Sequence, residues 1–476
     1  MQFKMLINGA WVEARSGRRW TVTNPATEEP IAEVPFGDAR DAEEAIAAAA
    51  AAQPGWAALG AYERGRFLRR AADLIYGRVD ELAPLITTES GKPLAEARSE
   101  WLACADVLDW FAEEGKRAYG RAIPSRNTNK RLLALPAPVG VAATITAWNF
   151  PAYLAARKWA AALAAGCTVV GRPSELTPMS AMALANILVE AGLPPGVLNL
   201  VNGEPAPIGE AFLRSPLVAK LSFTGSQAVG RILMRGAADD IKRLSLELGG
   251  SAPVLVFEDV DVEAAAAQCV AARFRNNGQV CISPNRFYVQ RTVFEAFIDA
   301  ACEAIDRLAL GSGLDPQVTT GPLISAAGRE RVEGQVADAV AQGARVVRGG
   351  ARPARLARGY FYEPTLLVNL HEEMRVLQEE VFGPVMLVQS FESLEEGLAK
   401  ANATPYGLAA YVLARDHRTI VRAYEGLSFG IIGVNDLTPA VAEGPFGGMK
   451  QSGFGRENGQ EGLAEYLETK FVSMAL

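Results

Sequence analysis

The chain has 476 residues, of which 49% are hydrophobic and 21% charged, and its formal net charge is −7. This length allows two or three domains with sizeable cores, and the composition is that of a folded protein rather than a disordered one. The negative charge argues against a nucleic acid or an acidic membrane surface as the partner.

Cysteine and histidine are sparse. The chain has five Cys without a C-x-x-C pair, and its two His are His371 and His417. This usage argues against a disulfide framework, a metal site and a Ser-His-Asp triad, and it is typical of a reducing cytosol. The apolar runs at the N-terminus and at Trp159 to Gly171 are too short for a signal peptide or a membrane span. We therefore expect a soluble, cytoplasmic protein without a metal.

The first part of the chain changes character twice. Residues 3–36 alternate apolar and polar residues with N-G and N-P turns, which predicts short strands of an N-terminal ribbon. From Asp41 to about Trp110, Ala, Glu, Arg and Leu recur at helical spacing and predict packed helices. Pro, Ser, Asn and Arg interrupt that pattern in residues 118–138, so this segment is expected to leave the main body of the fold.

Strand-like and helix-like runs alternate from Val139 onward. Apolar strand candidates occur at 139–147, 167–171, 197–201, 217–223 and 243–248, and helical runs between them stop at Gly166 and Gly192. A second series of the same kind begins at residue 254 and continues to about residue 445. Alternating strands and helices predict an α/β fold with parallel sheets that are covered on both faces.

A single cysteine follows a helix-stop sequence in F-R-N-N-G-Q-V-C-I-S-P-N, residues 274–285. Two Asn and Gly278 end the helical run, so Cys281 is expected on a turn with its sulfur presented. A presented thiol can act as a nucleophile, whereas most lone cysteines are small buried hydrophobes. Both interpretations stay open from this stretch alone.

Two further polar side chains lie where predicted strands end. Glu247 stands between leucines in L-S-L-E-L, where burial favours a neutral carboxyl that could serve as a general base. A buried ion pair explains it equally well. Asn149 in W-N-F-P ends the first strand of the alternating series, and its amide could donate to an oxyanion or simply make a turn before Pro151.

Neither the G-x-G-x-x-G dinucleotide fingerprint nor the P-loop pattern occurs, so any nucleotide site must use other turns. Gly225 and Ser226 lie at a strand-to-helix turn, where free N–H groups can bind phosphate. Arg172 and Glu175 follow the second strand of the series, at the edge where open α/β sheets bind ligands. An ordinary β-α turn and a solvated loop are the simpler explanations of these residues.

The order of these motifs resembles that of the aldehyde dehydrogenase superfamily over essentially the whole chain. W-N-F-P, R-P-S-E, F-T-G-S, L-E-L-G-G and G-Q-V-C are followed by E-E-V-F-G-P at 379–384 and P-F-G-G-M-K-Q-S-G-F-G-R-E at 445–457. F-A-E-E-G-K-R and F-R-N-N-G-Q-V-C look most like the succinate-semialdehyde dehydrogenases and related semialdehyde dehydrogenases.

The resemblance implies a role for each matching residue. Cys281 matches the nucleophile that forms a thiohemiacetal and then a thioester, Glu247 the general base, and Asn149 the side-chain half of the oxyanion hole. The residues that match family contacts to the coenzyme, NAD or possibly NADP, are Trp148, Arg172, Glu175, Gly225, Ser226, Glu380 and Phe382.

The resemblance also implies the organisation of the chain. Residues 1–117 and 139–248 are expected to form the NAD(P)-binding domain and residues 249–445 the catalytic domain. Residues 118–138 and 463–476 match an oligomerisation arm, which implies a homodimer or a homotetramer.

The substrate is predicted from two arginines and from two departures from the family pattern. Arg157 and Arg275 match arginines that contact the substrate carboxylate in succinate-semialdehyde dehydrogenases, so an oxo-acid semialdehyde is expected. In those enzymes a Ser lies shortly before the P-F-G-G motif, and Ala440 and Val441 occupy that stretch here. Arg172 stands where the family usually has a Lys. An uncharged aliphatic or aromatic aldehyde, a CoA-acylating dehydrogenase and a Cys thioesterase therefore stay as alternatives.

Overall fold

The structure is a computed structural model that describes residue 1 and residues 3–476. Its helices are α1 (Ala39–Ala58), α2 (Ala61–Ser90), α3 (Leu94–Glu114), α4 (Tyr153–Ala165), α5 (Pro178–Glu190), α6 (Pro205–Arg214), α7 (Gln227–Ala237), α8 (Val262–Phe274), α9 (Phe294–Asp306), α10 (Ala326–Ala341), α11 (Arg375–Gln378), α12 (Leu394–Asn402), α13 (His417–Gly426) and α14 (Gly459–Ala464).

The strands are β1 (Met5–Ile7), β2 (Ala10–Val12), β3 (Arg19–Thr23), β4 (Pro30–Pro35), β5 (Arg121–Ile123), β6 (Lys130–Pro138), β7 (Val141–Ile145), β8 (Thr168–Arg172), β9 (Leu198–Leu200), β10 (Val218–Gly225), β11 (Arg243–Leu248), β12 (Ala252–Val256), β13 (Pro284–Gln290), β14 (Arg345–Arg348), β15 (Thr365–Val368), β16 (Val385–Phe391), β17 (Ala409–Leu413), β18 (Ile431–Val434), β19 (Gly453–Phe454) and β20 (Leu467–Ala475).

The larger sheet has five parallel strands at its centre. Its order is β19-β11-β10-β7-β8-β9-β1-β2, and β7 to β11 all run in the same direction. The chain moves from β7 through β8 to β9 on one side and returns to add β10 and β11 on the other. The order therefore reverses between β7 and β10, and a crevice for a ligand is expected beyond the carboxyl ends of these two strands.

The second sheet is built from the later half of the chain in the order β14-β15-β16-β13-β12-β17-β18. Only the β14–β15 pair is antiparallel. The strand β12 follows β11 after three residues, so the two sheets are joined close to Glu247 and Gly249. Two doubly wound α/β units result, and the predicted fold class is confirmed.

The helix α4 shows why the sequence folds in this way. Ala-rich turns let it pack closely, and nearly all of its residues are buried. It ends at Gly166, whose φ of 97° is left-handed and therefore suits glycine. Its first turn lies directly after W-N-F-P, so α4 fixes where that motif leaves the sheet.

The N-terminal ribbon differs in part from the prediction. The strands β3 and β4 form a separate two-stranded sheet, but β1 and β2 extend the larger sheet through a pairing of β1 with β9. The three residues of β1 are fully buried, and this burial draws them into the main core. Residues 118–138 do leave the body, since β5 and β6 form a three-stranded sheet with β20.

None of the helices in the described part of the chain is long and apolar enough to span a membrane.

Candidate active site

A cleft of about 900 Å³ opens at the crevice between β7 and β10. It is lined by residues 145–148 at and just after the end of β7, by Arg172 and Glu175 at and just after the end of β8, and by residues 223–226 at the end of β10. The sequence places all of these at the carboxyl ends of parallel strands, which is why they meet at one edge. The cleft continues along α6 and α7 past Gly209 and Ile232.

The polar lining of this cleft fits a nucleotide. Ser226 caps α7, which begins at Gln227, and its hydroxyl accepts a hydrogen bond of 3.4 Å from the Val229 N–H. Gly225 is the last residue of β10, so it and Ser226 form the strand-to-helix turn that the sequence predicts. Arg172 Nε and Thr224 Oγ1 are buried in the lining without a hydrogen-bond partner among the described residues. Unpaired donors beside a helix N-terminus suit phosphate and ribose groups.

Cys281 lies on the turn that the sequence predicts. Asn276, Asn277 and Gly278 have φ of 47°, 55° and 72°, so three successive left-handed residues reverse the chain after α8. A Cβ on Gly278 would lie 2.3 Å from the Gly383 carbonyl oxygen, so only glycine fits this close approach. Cys281 is partly exposed, whereas the other four cysteines are buried. The turn therefore leaves Cys281, alone among the five cysteines, partly open to solvent.

The surroundings of Cys281 oppose its ionisation in the free protein. Burial of the thiol group raises its pKa well above the ordinary value, and the Glu247 and Glu380 carboxylates raise it further. The Arg157 guanidinium acts in the opposite direction and favours the thiolate. The reactivity of Cys281 therefore depends on the balance of charges around it.

Glu247 lies near the end of β11, where its backbone pairs with Thr224 of β10 and Gly453 of β19. Both of its carboxylate oxygens are buried without a geometric hydrogen-bond partner among the described residues. Burial raises its pKa to about 7, against the opposing effects of Arg157, Lys158 and the nearby Cys281 thiol. A carboxyl whose pKa lies near neutral pH, next to a thiol, suits the role of a general base.

Asn149 is held beside the Cys281 turn by a buried polar network. Its Nδ2 donates to the Gln279 carbonyl at 3.1 Å, and Asn276 Nδ2 donates to the same carbonyl at 3.2 Å. The Asn149 carbonyl accepts from Lys92 Nζ at 2.7 Å and from Asn276 Nδ2 at 3.1 Å. The W-N-F-P and G-Q-V-C turns are thus tied together, and this contact uses one of the two amide hydrogens of Asn149.

Glu380 and Phe382 approach the site from the segment between α11 and β16. Glu380 Oε1 accepts from the Gly250 N–H at 3.0 Å, and burial raises the pKa of this carboxyl to about 8. The Phe382 ring meets Trp148 edge to face, with centroids 5.5 Å apart. The segment therefore contacts the cleft wall at Trp148 and the connection between β11 and β12 at Gly250.

Arg157 and Arg275 differ in their partners. Arg157 is fully buried in α4, and its Nη2 lies 2.8 Å from Glu457 Oε2. Lys158 also pairs with Glu457 and donates to Ser222 Oγ at 3.1 Å. The sequence motifs do not identify Glu457 as a site residue. The signal for it is the pair of adjacent cations in an Ala-rich helix, because buried cations require a buried acid.

Arg275 is half-buried and forms no ion pair within the described part of the chain. Its guanidinium lies over the Phe150 ring, 5.2 Å from the centroid. The Arg275 charge acts on the Glu96 carboxyl. Burial raises the pKa of Glu96, and Arg275 opposes that rise. Of the two arginines predicted from the sequence, Arg275 is the one that is free to bind an added carboxylate.

An outer cavity of about 460 Å³ lies next to the site. Tyr153 and Trp110 form part of its wall, and Ala440 and Val441 face them. Its charged lining side chains are Asp106, Asp109 and Glu443, all acidic. Within the described residues, no group of three or more metal-ligating side chains could hold an ion.

Comparison with known proteins places this geometry in a family. The family model described as "Aldehyde dehydrogenase family" matches residues 11–472. The succinate-semialdehyde dehydrogenase [NADP(+)] of Escherichia coli is 46% identical over 471 residues, which cover 99% of this chain and 97% of that protein. The glutarate-semialdehyde dehydrogenase of Pseudomonas aeruginosa is 46% identical over 468 residues, with coverage of 98% and 96%. The crystal structure of succinate-semialdehyde dehydrogenase from Burkholderia pseudomallei superposes with a TM-score of 0.98 at 45% identity, covering 100% and 98% of the chains.

Proposed function

Because this chain belongs to the aldehyde dehydrogenase family, we propose that it oxidises a semialdehyde with a remote carboxylate to the dicarboxylic acid, using NAD(P). Succinate semialdehyde and longer oxo-acid semialdehydes are the proposed substrates. The observation that carries this choice is the unpaired guanidinium of Arg275, six residues before Cys281. Relatives named for succinate and glutarate semialdehyde, each 46% identical, support it.

The proposed first half of the reaction uses Cys281 and Asn149. The Cys281 thiolate, favoured by Arg157, attacks the aldehyde carbon and forms a thiohemiacetal. Asn149 Nδ2 and the Cys281 backbone N–H donate to the developing oxyanion. The Arg275 guanidinium binds the remote carboxylate. A nicotinamide coenzyme held in the cleft would supply the hydride acceptor through which the thiohemiacetal on Cys281 becomes a thioester.

Glu247 is proposed to complete the cycle. Its carboxylate takes a proton from water, and the resulting hydroxide attacks the thioester to release the acid and the Cys281 thiolate. The pKa of about 7 lets a large fraction of Glu247 act as a base at neutral pH. A base next to the thiol favours hydrolysis, which argues against acyl transfer to CoA.

The residues that hold the coenzyme are proposed from the cleft and its lining. Ser226 and Gly225 offer the helix N-terminus to the pyrophosphate, while Arg172 and Glu175 lie where the adenosine ribose binds. Trp148, Glu380 and Phe382 enclose the nicotinamide end. The Arg172 Nε–H and the Thr224 hydroxyl, which are buried without a hydrogen-bond partner among the described residues, support this placement.

The division of the chain is part of the same proposal. Residues 1–117 and 139–248 bind the coenzyme, residues 249–445 carry the nucleophile, and residues 118–138 and 463–476 form an arm. The arm ends in β20, an edge strand with exposed Phe471 and Met474. An apolar edge of this kind supports pairing with a second copy, and we propose a homodimer or a homotetramer.

A second substrate class has its own support. Ala440 and Val441 give the outer cavity no hydrogen-bonding side chain where a Ser was expected, and Asp106, Asp109 and Glu443 repel a carboxylate. These features favour an aldehyde without negative charge. The two substrate classes, semialdehydes with a carboxylate and uncharged aldehydes, predict opposite orders of kcat/KM in one assay.

That assay follows NAD(P)H absorbance with butanal, benzaldehyde, succinate semialdehyde and glutarate semialdehyde at equal concentrations. The proposal expects the semialdehydes to have the higher kcat/KM. Equal rates with butanal would overturn the carboxylate assignment, and hydrolysis of an added acyl thioester with no NAD(P)H formed from any aldehyde would indicate a thioesterase. Addition of CoA distinguishes hydrolysis from acyl transfer, since only the latter yields acyl-CoA.

A further inference from the structure

Arg273 is a buried cation that the proposed reaction does not use. It stands one residue before the end of α8, and its side chain has no solvent exposure. Burial lowers its pKa to about 9, and Glu380 is the charge that opposes this effect. Within the described residues Arg273 forms no ion pair. A fully buried guanidinium without a paired carboxylate is costly, so its retention calls for a specific role.

Three backbone partners of Arg273 lie on residues 381–385, an irregular segment followed by the first residue of β16. Its Nε donates to the Val385 carbonyl at 2.7 Å, and its Nη2 donates to the Val381 carbonyl at 3.0 Å and to the Gly383 carbonyl. Residues 381–384 lie outside helices and strands. A single guanidinium therefore donates to all three of these carbonyls.

The same guanidinium also binds the nucleophile turn. Arg273 Nη1 donates to Ser283 Oγ at 2.9 Å, and Ser283 Oγ donates back to the Arg273 carbonyl at 3.3 Å. Ser283 follows Cys281 by two residues. The close approach of Gly278 to the Gly383 carbonyl places the turn and the segment in direct contact.

We propose that Arg273 is a positioning residue that sets the distance between the Cys281 turn and the segment carrying Glu380 and Phe382. The carbonyls of residues 381, 383 and 385 converge on its fork, so the backbone between them is fixed. Glu380 and Phe382 are then held toward Gly250 and Trp148. A planar fork with several donors suits this task, whereas the single ammonium of lysine does not.

The inference rests on the roles proposed for Cys281, Glu380 and Phe382, and it is independent of which aldehyde is oxidised. Two of its readouts need no aldehyde: the Kd for NAD⁺ by calorimetry, and the rate at which iodoacetamide alkylates Cys281 in the free enzyme. Failure of the proposed substrate therefore leaves the test intact.

The test compares Arg273→Met and Arg273→Lys with Arg64→Met. Arg64 is the matched control, because its guanidinium also binds carbonyls, those of Leu59 and Ala164, but far from the cleft. Arg273→Met is expected to raise the Kd for NAD⁺ about 10-fold, the effect of one weakened hydrogen-bonded contact. Its kcat should fall roughly 10- to 100-fold, because misplacement by about 1 Å has that consequence.

Arg273→Lys should fall between Arg273→Met and the wild type, and Arg64→Met should keep wild-type values. A lower melting temperature of Arg273→Met with unchanged Kd and kcat would overturn the proposal, as would full function of Arg273→Lys. If Arg273→Met does not fold, Ser283→Ala serves instead. It should change the pH dependence of Cys281 alkylation while NAD⁺ affinity is kept, and an unchanged alkylation profile would contradict the link to the nucleophile turn.

Discussion

Arg172 Nη2 lies 2.6 Å from Glu175 Oε2, and this ion pair is on the wall of the coenzyme cleft. The same Nη2 atom donates to the Gly203 carbonyl at 2.9 Å. The cation that could bind a 2′-phosphate is thus already engaged by a neighbouring carboxylate. Glu175 keeps its second oxygen for a ribose hydroxyl, which favours NAD modestly over NADP.

Replacement of Glu175 by Gln should shift the coenzyme preference toward NADP. The change removes the negative charge that repels a 2′-phosphate and frees the Arg172 fork to bind it. We expect the ratio of kcat/KM for NADP to that for NAD to rise about 10-fold or more, since a hydrogen bond to a charged group contributes ~1.5–3 kcal/mol. Steady-state kinetics with both coenzymes measure this ratio.

Arg172→Met is the matched variant for the coenzyme test. It should lower the NADP activity more than the NAD activity. A wild type with higher kcat/KM for NADP would show that Arg172 already dominates the pair.

Replacement of Cys281 by Ala should abolish aldehyde oxidation while coenzyme binding persists. The reaction needs a covalent thioester, and Cys281 alone among the cysteines is partly exposed. Activity and NAD⁺ affinity are measured side by side, with Cys302→Ala as the control for a buried thiol. Substantial turnover by the Cys281 variant would exclude it as the nucleophile.

Replacement of Glu247 by Gln should separate the two halves of the reaction. Without the base, one equivalent of NAD(P)H is formed in a burst and the thioester then persists. The Glu247 carboxylate also raises the pKa of Cys281, so its removal should speed the alkylation of Cys281 at pH ~8. Rapid mixing and iodoacetamide labelling measure these effects. Steady-state turnover at the wild-type rate would mean that another group activates the water.

The pKa of Glu247 predicts the pH dependence of thioester hydrolysis. Burial raises this pKa to about 7, and only the ionised form accepts a proton from water. Hydrolysis should therefore be slow below pH 7 and rise as pH increases through that value. Single-turnover release of acid across this range measures the dependence. A rate that stays constant from pH ~5 to ~9 would contradict the assignment.

The sequence was sufficient to predict the fold, since the strand and helix periods are regular from Val139 onward. It also predicted that Cys281 lies on a turn, because Asn-Asn-Gly stops the preceding helix, and that Arg172 lies at the ligand-binding edge of the sheet, because strand polarity decides that position. Partners distant in sequence could not be predicted: Arg157 and Glu457 are 300 residues apart, and they meet only after the sheets have formed. Arg273 was missed for a related reason, since its partners are backbone carbonyls that no residue pattern reveals.

The substrate carboxylate should depend on Arg275 more than on Arg157. Arg275 has no ion pair among the described residues, whereas Arg157 is paired with Glu457 and favours the Cys281 thiolate. Arg275→Ala should therefore lower kcat/KM for succinate semialdehyde by about 10- to 150-fold, the value of a charge-assisted bond of ~1.5–3 kcal/mol, and leave butanal little changed. Arg275→Lys should restore part of the difference. Arg157→Ala should slow both aldehydes alike, because it weakens the thiolate and leaves Glu457 with Lys158 as its remaining partner. If Arg275→Ala slows butanal as much as succinate semialdehyde, Arg275 does not read the carboxylate, and the apolar stretch at Ala440 and Val441 is the better guide to the substrate.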